Sequence, residues 1–396
     1  MNQKRFVYVD NAATTRISDK VLGAMLPYLR ESYGNPSGIY RLGREARKAV
    51  ETAREQVAKA LGAQPREIFF TSGGTESDNW AVKMAARGIC GHKKKHIVTS
   101  VFEHPAVLDS VRSLEEEGFK AAYISVGEKG IVDPADVEKA IMPETALVSI
   151  MYANNEIGTI QPAAEIGRIC REKGVLFHTD AVQAAGNISI DVVEQRIDLL
   201  SLSGHKIRAP KGVGALYIRE GSGLSAYIHG GRQEKGLRSG TENVAAIVGF
   251  GAAMQEAVNN MDENNAKIKA MRDKLLGGIC ALPRIHLNGC IKNRLPGNIN
   301  LSIEGTEGEA MTIMLDINGI SVSSGSACST GQGASHVLGA LGLSEHMANA
   351  ALRITINEEN TMEDMDYILE TLSGMIKKLR EQSPLWERIT RQDSMK

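Results

Sequence analysis

Apolar residues recur along the chain in two rhythms. From about residue 16 to 260, short runs rich in β-branched residues alternate with stretches of helical spacing. That alternation is the pattern of a parallel sheet covered by helices. It predicts strands over Glu67–Thr71, His96–Ser100, Ala121–Ser125, Leu147–Tyr152, Val175–Thr179, Leu199–Leu202 and Gly214–Ile218. Residues 252–280 are polar, Met-rich and helical in period, with no Gly or Pro before Gly277, and read as one long connecting helix. Beyond it, Asn298–Ile303, Gly319–Ser323 and Arg353–Ile356 read as strands of a smaller α+β unit. The N-terminal run MNQKRFVYVDNAATT goes straight into an alternating strand pattern and a polar turn. The expected architecture is therefore α/β: a large domain over 16–260 with a mainly parallel sheet, and a small α+β domain from 1–15 and 261–396. No internal repeat or low-complexity segment interrupts it.

The chain has 396 residues, too long for a single small core and suited to that division. Lys plus Arg number 46 against 47 Asp plus Glu, a formal net charge of −1. Such a balance argues against nucleic acid as a partner. The Lys93-Lys94-Lys95 run reads as a solvated turn before a strand. The longest apolar stretches, such as Val244 to Met254, are too short to span a bilayer, so no membrane partner is expected. The five cysteines, Cys90, Cys170, Cys280, Cys290 and Cys328, are odd in number and form no C-x-x-C pair. Neither a disulfide framework nor a zinc knuckle is suggested. With no secretory pattern at the start, a reducing cytoplasm is the expected compartment.

Five predicted strands end in polar clusters: Thr71–Thr75, Glu103-His104, Asn154–Glu156, Asp180–Gln183 and Ser201–Lys206. In an open parallel sheet such ends converge on one crevice, where ligands bind. Thr71-Ser72-Gly73-Gly74-Thr75-Glu76 suits an anion at a helix N-terminus; by itself it equally fits an ordinary capped turn. It lacks the Gly-Lys-Ser/Thr ending of a P-loop. Asp180 needs a cation or several donors if buried, and a protonated pyridine nitrogen is one such cation; alone it also reads as a helix cap. Lys206, in Ser203-Gly204-His205-Lys206, is an amine suited to a Schiff base, although a lone loop lysine is usually just solvated. The order of phosphate loop, His104, Asn155, Asp180, Gln183 and Lys206 favours the joint reading. Cys328 lies in a run of small residues, Ser323 to Gly333, expected to form an exposed, mobile loop. Exposure favours a reactive thiol, against the alternative of a tolerated surface cysteine. The other four cysteines read as inert.

These residues carry a resemblance. The chain resembles the cysteine desulfurases of the NifS/IscS type, which are class V aminotransferase-like, fold-type I enzymes dependent on pyridoxal 5'-phosphate. The matching stretches run from Tyr8–Thr15 through Thr71–Asn79, Glu103-His104, Asn154–Gly158, Asp180–Gln183 and Ser203–Lys206. They continue with Arg238–Thr241, Ser323–Cys328, Ser335–Leu338, Arg353 and Ser383–Glu387. The resemblance implies that Lys206 carries the cofactor and moves the Cα proton, while His104 stacks on the ring and Asp180 pairs with its nitrogen. It gives Gln183 to the ring oxygen, and Gly74, Thr75, Ser203 and His205 to the phosphate, with Thr241 reaching it from a partner subunit. Asn155 lies by the cofactor and, with Arg353, holds the substrate carboxylate, for which a forked guanidinium is well shaped. Cys328 takes sulfur from L-cysteine as a persulfide, leaving alanine. A homodimer and a sulfur-accepting or iron–sulfur scaffold protein are implied as partners. No resident metal is implied, with Cys328 available as a ligand to a transient iron–sulfur cluster shared with a partner. Three features depart from the family pattern: Ala209 before Pro210, the proline-free stretch between Cys328 and Ser335, and Ile-Asn-Glu-Glu-Asn over 356–360 where an Arg-containing turn is common.

Overall fold

The computed structural model describes residues 5–88, 94–324 and 334–394. Cys90, Cys328 and most of the small-residue run lie outside the described residues, so the expectation of a mobile loop is not addressed by them.

The chain opens with strand β1 (Val7–Tyr8) and helices α1 (Asp19–Arg30) and α2 (Arg41–Ala60). An alternating series follows: β2 (Ile68–Thr71), α3 (Gly74–Gly88), β3 (His96–Ser100), α4 (Pro105–Glu116), β4 (Lys120–Ile124) and α5 (Pro134–Ala140). It continues through β5 (Thr145–Ser149), α6 (Ala163–Lys173), β6 (Leu176–Asp180), β7 (Leu199–Ser203) and β8 (Gly214–Ile218). Helices α7 (Val244–Asn259) and α8 (Met261–Cys280) lead to β9 (Ile285–Leu287), β10 (Asn298–Ile303), α9 (Gly308–Ile317) and β11 (Ile320–Ser321). Last come α10 (His336–Ala340), α11 (Glu345–Asn349), β12 (Ala351–Thr355), α12 (Met362–Glu381) and α13 (Pro384–Ser394).

Seven strands form the main sheet in the order β2-β8-β7-β6-β5-β3-β4. Only β8 runs against its neighbours, antiparallel to both β7 and β2. The sheet is buried on both faces, and successive residues of each strand supply opposite cores. Phe70, Val98, Val148 and Leu200 join one core with Val21, Val50 and Phe250 from α1, α2 and α7. Their neighbours Phe69, Ile97, Leu147 and Leu199 join the other with Trp80 and Val107 from α3 and α4.

The long helix read over 252–280 is instead two helices broken at Asn260, whose φ and ψ are −106° and 7°. The break has a packing reason. Helix α7 buries Ala245 to Met254 against the main sheet, whereas α8 buries Ile268, Met271, Leu275 and Ile279 in a separate cluster with Val7, Val9, Leu301 and Ile368. One straight helix cannot present its apolar face to both. That separate cluster covers a small antiparallel sheet, β12-β10-β9. Strand β9 has no strong strand signal, being three partly exposed residues. The expected strand at Leu147–Tyr152 is β5, which starts at Thr145 and ends at Ser149. The chain beyond still runs beside β6, with Tyr152 N–H donating to Asp180 O at 2.8 Å.

Candidate active site

The C-terminal ends of β2, β3, β5, β6 and β7 lie at one edge of the sheet, because these five strands run in the same direction. At β2, Thr71 Oγ1 and Ser77 Oγ are 2.8 Å apart, and the Ser72 N–H donates to Glu76 Oε2 at 2.9 Å. These bonds fold the chain into α3 across Gly73, whose φ of 154° disfavours other residues. A Cβ on Gly74 would come within 2.8 Å of Val182 Cγ2, so the loop packs closely on the turn after β6. The first N–H groups of α3 have no helix carbonyl to bond. Such free donors at Gly74 and Thr75, with Ser203 of β7 beside Gly74, suit an anion.

Lys206 ends a single 3-10 turn after β7. Its Nζ donates to Ala12 O at 2.6 Å and Ala13 O at 2.8 Å. Gln183 Nε2 donates to the same Ala12 oxygen at 3.0 Å, which brings these two predicted residues together. His205 Nδ1 is 3.2 Å from Thr14 Oγ1, and burial, with the positive charges of Lys206 and Lys211, pushes its pKa down to about 4. It is a neutral ring at pH 7.

Asp180 is the last residue of β6 rather than a position beyond it. Its Oδ1 accepts from Val182 N–H at 2.9 Å, so it caps a turn and still points an acid into the crevice. Burial raises its pKa, opposed by His104 and Lys206. His104 is the N-cap of α4, and its Nδ1 accepts from Ala106 N–H at 3.1 Å. In the neutral ring that leaves the hydrogen on Nε2. Burial lowers its pKa while Asp180 opposes that change.

Arg353, on β12, donates to Asp10 Oδ1 at 2.8 Å and to the Asn155 carbonyl at 3.2 Å. The small sheet thus delivers Arg353 to the end of the segment that carries Asn155. Arg353 Nε is buried without a hydrogen-bond partner. Thr241 is exposed, and no hydrogen bond among the described residues ties it to the start of α3 in its own chain. Its neighbour Arg238 does reach that helix start, through Glu76 at 2.7 Å. A cavity of about 170 Å³ adjoins Lys206 on the side of Asn11, Gln183, Arg208, Asn298 and Glu358; His104 and Asp180 do not line it.

The sequence reading gave no role to several groups at this edge, among them Glu103 and His336, which it had named only as parts of a polar cluster and a matching stretch. Asp78, one turn into α3, is close to both Asp180 and His104, with one ligand atom of each lying within 4.8 Å of the others. His178 stands two residues before Asp180 on the same face of β6. Burial pushes Glu103 up to about 8, although Ser100 and Met151 donate to it. His336 donates to the Glu103 carbonyl at 3.1 Å, bringing α10 against the crevice. Position i+4 from Gly74 on a helix was the one signal for Asp78. Of the cysteines expected to be inert, Cys170 and Cys290 are buried, but Cys280 is exposed at the end of α8.

A glycine-bearing helix N-terminus, a carboxylate, an imidazole and a primary amine at one sheet edge together suit a pyridine aldehyde phosphate. The class V aminotransferase family matches residues 7–368 of the chain. The chain belongs to that family. Within it, relatives of about 50% identity include cysteine desulfurases. The cysteine desulfurase IscS of Clostridium botulinum strain Hall is 51% identical over 387 residues, covering 96% of this chain and 97% of the relative. A solved NifS-like protein superposes with a TM-score of 0.89 at 41% identity, covering 94% of this chain and all of that one. A structure described as SspA in complex with cysteine has a TM-score of 0.79 at 38% identity, covering 88% and 98%. Resemblance and fold therefore agree: this is a cysteine desulfurase of the NifS/IscS type, a mixed α/β enzyme of the class V aminotransferase fold. Among the described residues, no helix is long and apolar enough to cross a membrane.

Proposed function

We propose that the crevice removes sulfur from L-cysteine with pyridoxal 5'-phosphate held on Lys206 and Cys328 as the sulfur acceptor. The observation that supports it is the meeting of Lys206, His104, Asp180 and the helix start at Gly74 and Thr75 at one sheet edge. Bound there, the cofactor supplies an electron sink for charge that develops at the substrate Cα. Gly74, Thr75, Ser203 and His205 would hold its phosphate, and Asp180 would pair with the ring nitrogen. His104 would stack on the ring, and Gln183 would donate to the ring oxygen. Asn155 and Arg353 hold the substrate carboxylate, and the unpartnered Arg353 Nε offers a donor to an arriving oxygen.

The Lys206 amine, standing over the substrate, would take the Cα proton. The Cys328 thiolate then attacks the substrate sulfur. The carbon–sulfur bond breaks with its electron pair going to the substrate carbon, which is protonated to give alanine. The sulfur stays on Cys328 as a persulfide, so one L-cysteine and one Cys328 thiol become one L-alanine and one persulfide. That the relative SspA was solved with cysteine supports this substrate.

The same reading makes the protein a homodimer, with Thr241 completing the partner's phosphate site. It divides the chain into a large domain, 16–260, and a small one, 1–15 with 261–396. A protein that accepts sulfur, such as an iron–sulfur scaffold, then receives the persulfide sulfur. A thiol that must cycle suits a reducing cytoplasm. Brief exposure to L-cysteine followed by mass spectrometry is the test. One added sulfur on the Cys328 peptide, with alanine formed, is expected. Added sulfur only on Cys90, Cys170, Cys280 or Cys290, or normal turnover by Cys328→Ala, would overturn the assignment.

A further inference from the structure

Asp78 is more deeply buried than Asp180, at 1% against 6% exposure. Its Oδ1 has no hydrogen-bond partner. The nearest basic nitrogen on β6, His178 Nε2, is 3.7 Å away and already contacts Ser201 Oγ at 3.0 Å. His178 Nδ1 contacts Ser149 Oγ at 2.8 Å. Burial pushes the His178 pKa down to about 3, so this ring brings no positive charge.

The remaining charges near Asp78 are unfavourable. Asp180 and Glu103 face it as acids, and only the Ser201 hydroxyl eases its ionisation, so burial and repulsion together raise its pKa well above the usual range. Asp180 differs because His104 and Lys206 both favour its charge. Two ionised carboxylates this close in a dry site repel each other, and one of them keeps its proton.

We propose that Asp78 is a positioning residue: it stays a neutral carboxylic acid and leaves the single negative charge of the pair on Asp180. The inference rests on the reading that Asp180 faces the ring nitrogen of the cofactor. A protonated ring nitrogen needs one counter-charge, and a second beside it would be unmatched. Helix α3 fixes this arrangement, since Gly74 and Thr75 at its start and Asp78 one turn later belong to the same rigid element.

The experiment is infrared spectroscopy of the full chain as purified, with and without ¹³C-carboxyl aspartate, from about pH 6 to pH 9. The expected result is a protonated-carboxyl stretch that moves with the label, persists through this range and is lost in Asp78→Asn. No label-sensitive band in the unmodified protein near pH 7 would overturn the proposal. If Asp78→Asn does not fold, Asp180→Asn replaces it. The band survives there if Asp78 holds the proton and vanishes if Asp180 does. A second readout is the pH titration of the bound cofactor's absorption. Asp78→Asn exchanges one neutral group for another and should keep the midpoint within roughly 0.3 unit. A fall of about one unit or more would mean that Asp78 had been charged. The infrared band requires neither cofactor nor substrate. A chain that fails to take up pyridoxal phosphate would therefore defeat the proposed function and leave this measurement readable.

Discussion

Lys206 donates to the carbonyl oxygen of Ala12 at 2.6 Å across 194 positions of sequence. The polar turn after β1 is thereby fastened to the loop that ends β7. The N-terminal turn is a wall of the site, and the amine donates to two of its carbonyls.

The first prediction concerns that amine. Borohydride reduction of the purified protein followed by peptide mapping should place the cofactor label on Lys206. Lys206→Ala should lose the covalent link and slow turnover by on the order of a thousandfold, while the start of α3 still retains some cofactor. A label on any other lysine would refute the assignment.

The second concerns a clasp around the cavity beside Lys206. Arg208 donates to Glu358 at 2.7 Å and to Glu359 at 2.5 Å, and Arg16 donates to Glu359 at 3.0 Å. The two glutamates occupy the segment after β12 that departs from the family pattern. Arg208→Glu would gather three carboxylates there and should lower stability by roughly 1–2 kcal/mol. The swap Arg208→Glu with Glu358→Arg should restore most of the loss in urea unfolding. A double variant no better than the single one would show that the charges do not pair.

Glu156 sets a pH dependence. Burial pushes its carboxyl from 4.5 up to about 7, although Ser335 donates to it at 2.5 Å. Because the folded pKa is the higher one, this group's stabilising contribution is full below pH 4.5 and is lost as pH rises through about 7. Glu156→Gln should therefore flatten the fall in stability between about pH 5 and pH 8, by on the order of 2 kcal/mol. Thermal unfolding at the two ends of that window measures it. An equal fall in both proteins would exclude Glu156 as its source.

The fourth prediction links assembly to cofactor retention. Sedimentation should show a dimer. Thr241→Ala should weaken retention of pyridoxal phosphate roughly tenfold, the value of one hydrogen bond to a charged group. A fully active monomer would rule out the shared site.

The sequence by itself determined the alternating elements, the crevice at the strand ends and the residue types that meet there. Those features are local: strand runs of apolar residues, turns with Gly73 and Gly74, and acids and amines at run ends. The family resemblance added roles to Lys206, Asp180 and His104. Tertiary structure alone decided the rest. The break at Asn260 exists because α7 and α8 serve different cores. Arg353 meets Asn155, 198 positions away, only after the small sheet packs against the main one. Asp78 looks like any polar helix residue until β6 and β7 close over it and remove its water. Its ionisation then depends on Asp180, Ser201 and Glu103, three groups outside its own helix, and no spacing along the chain encodes such a shared electrostatic environment.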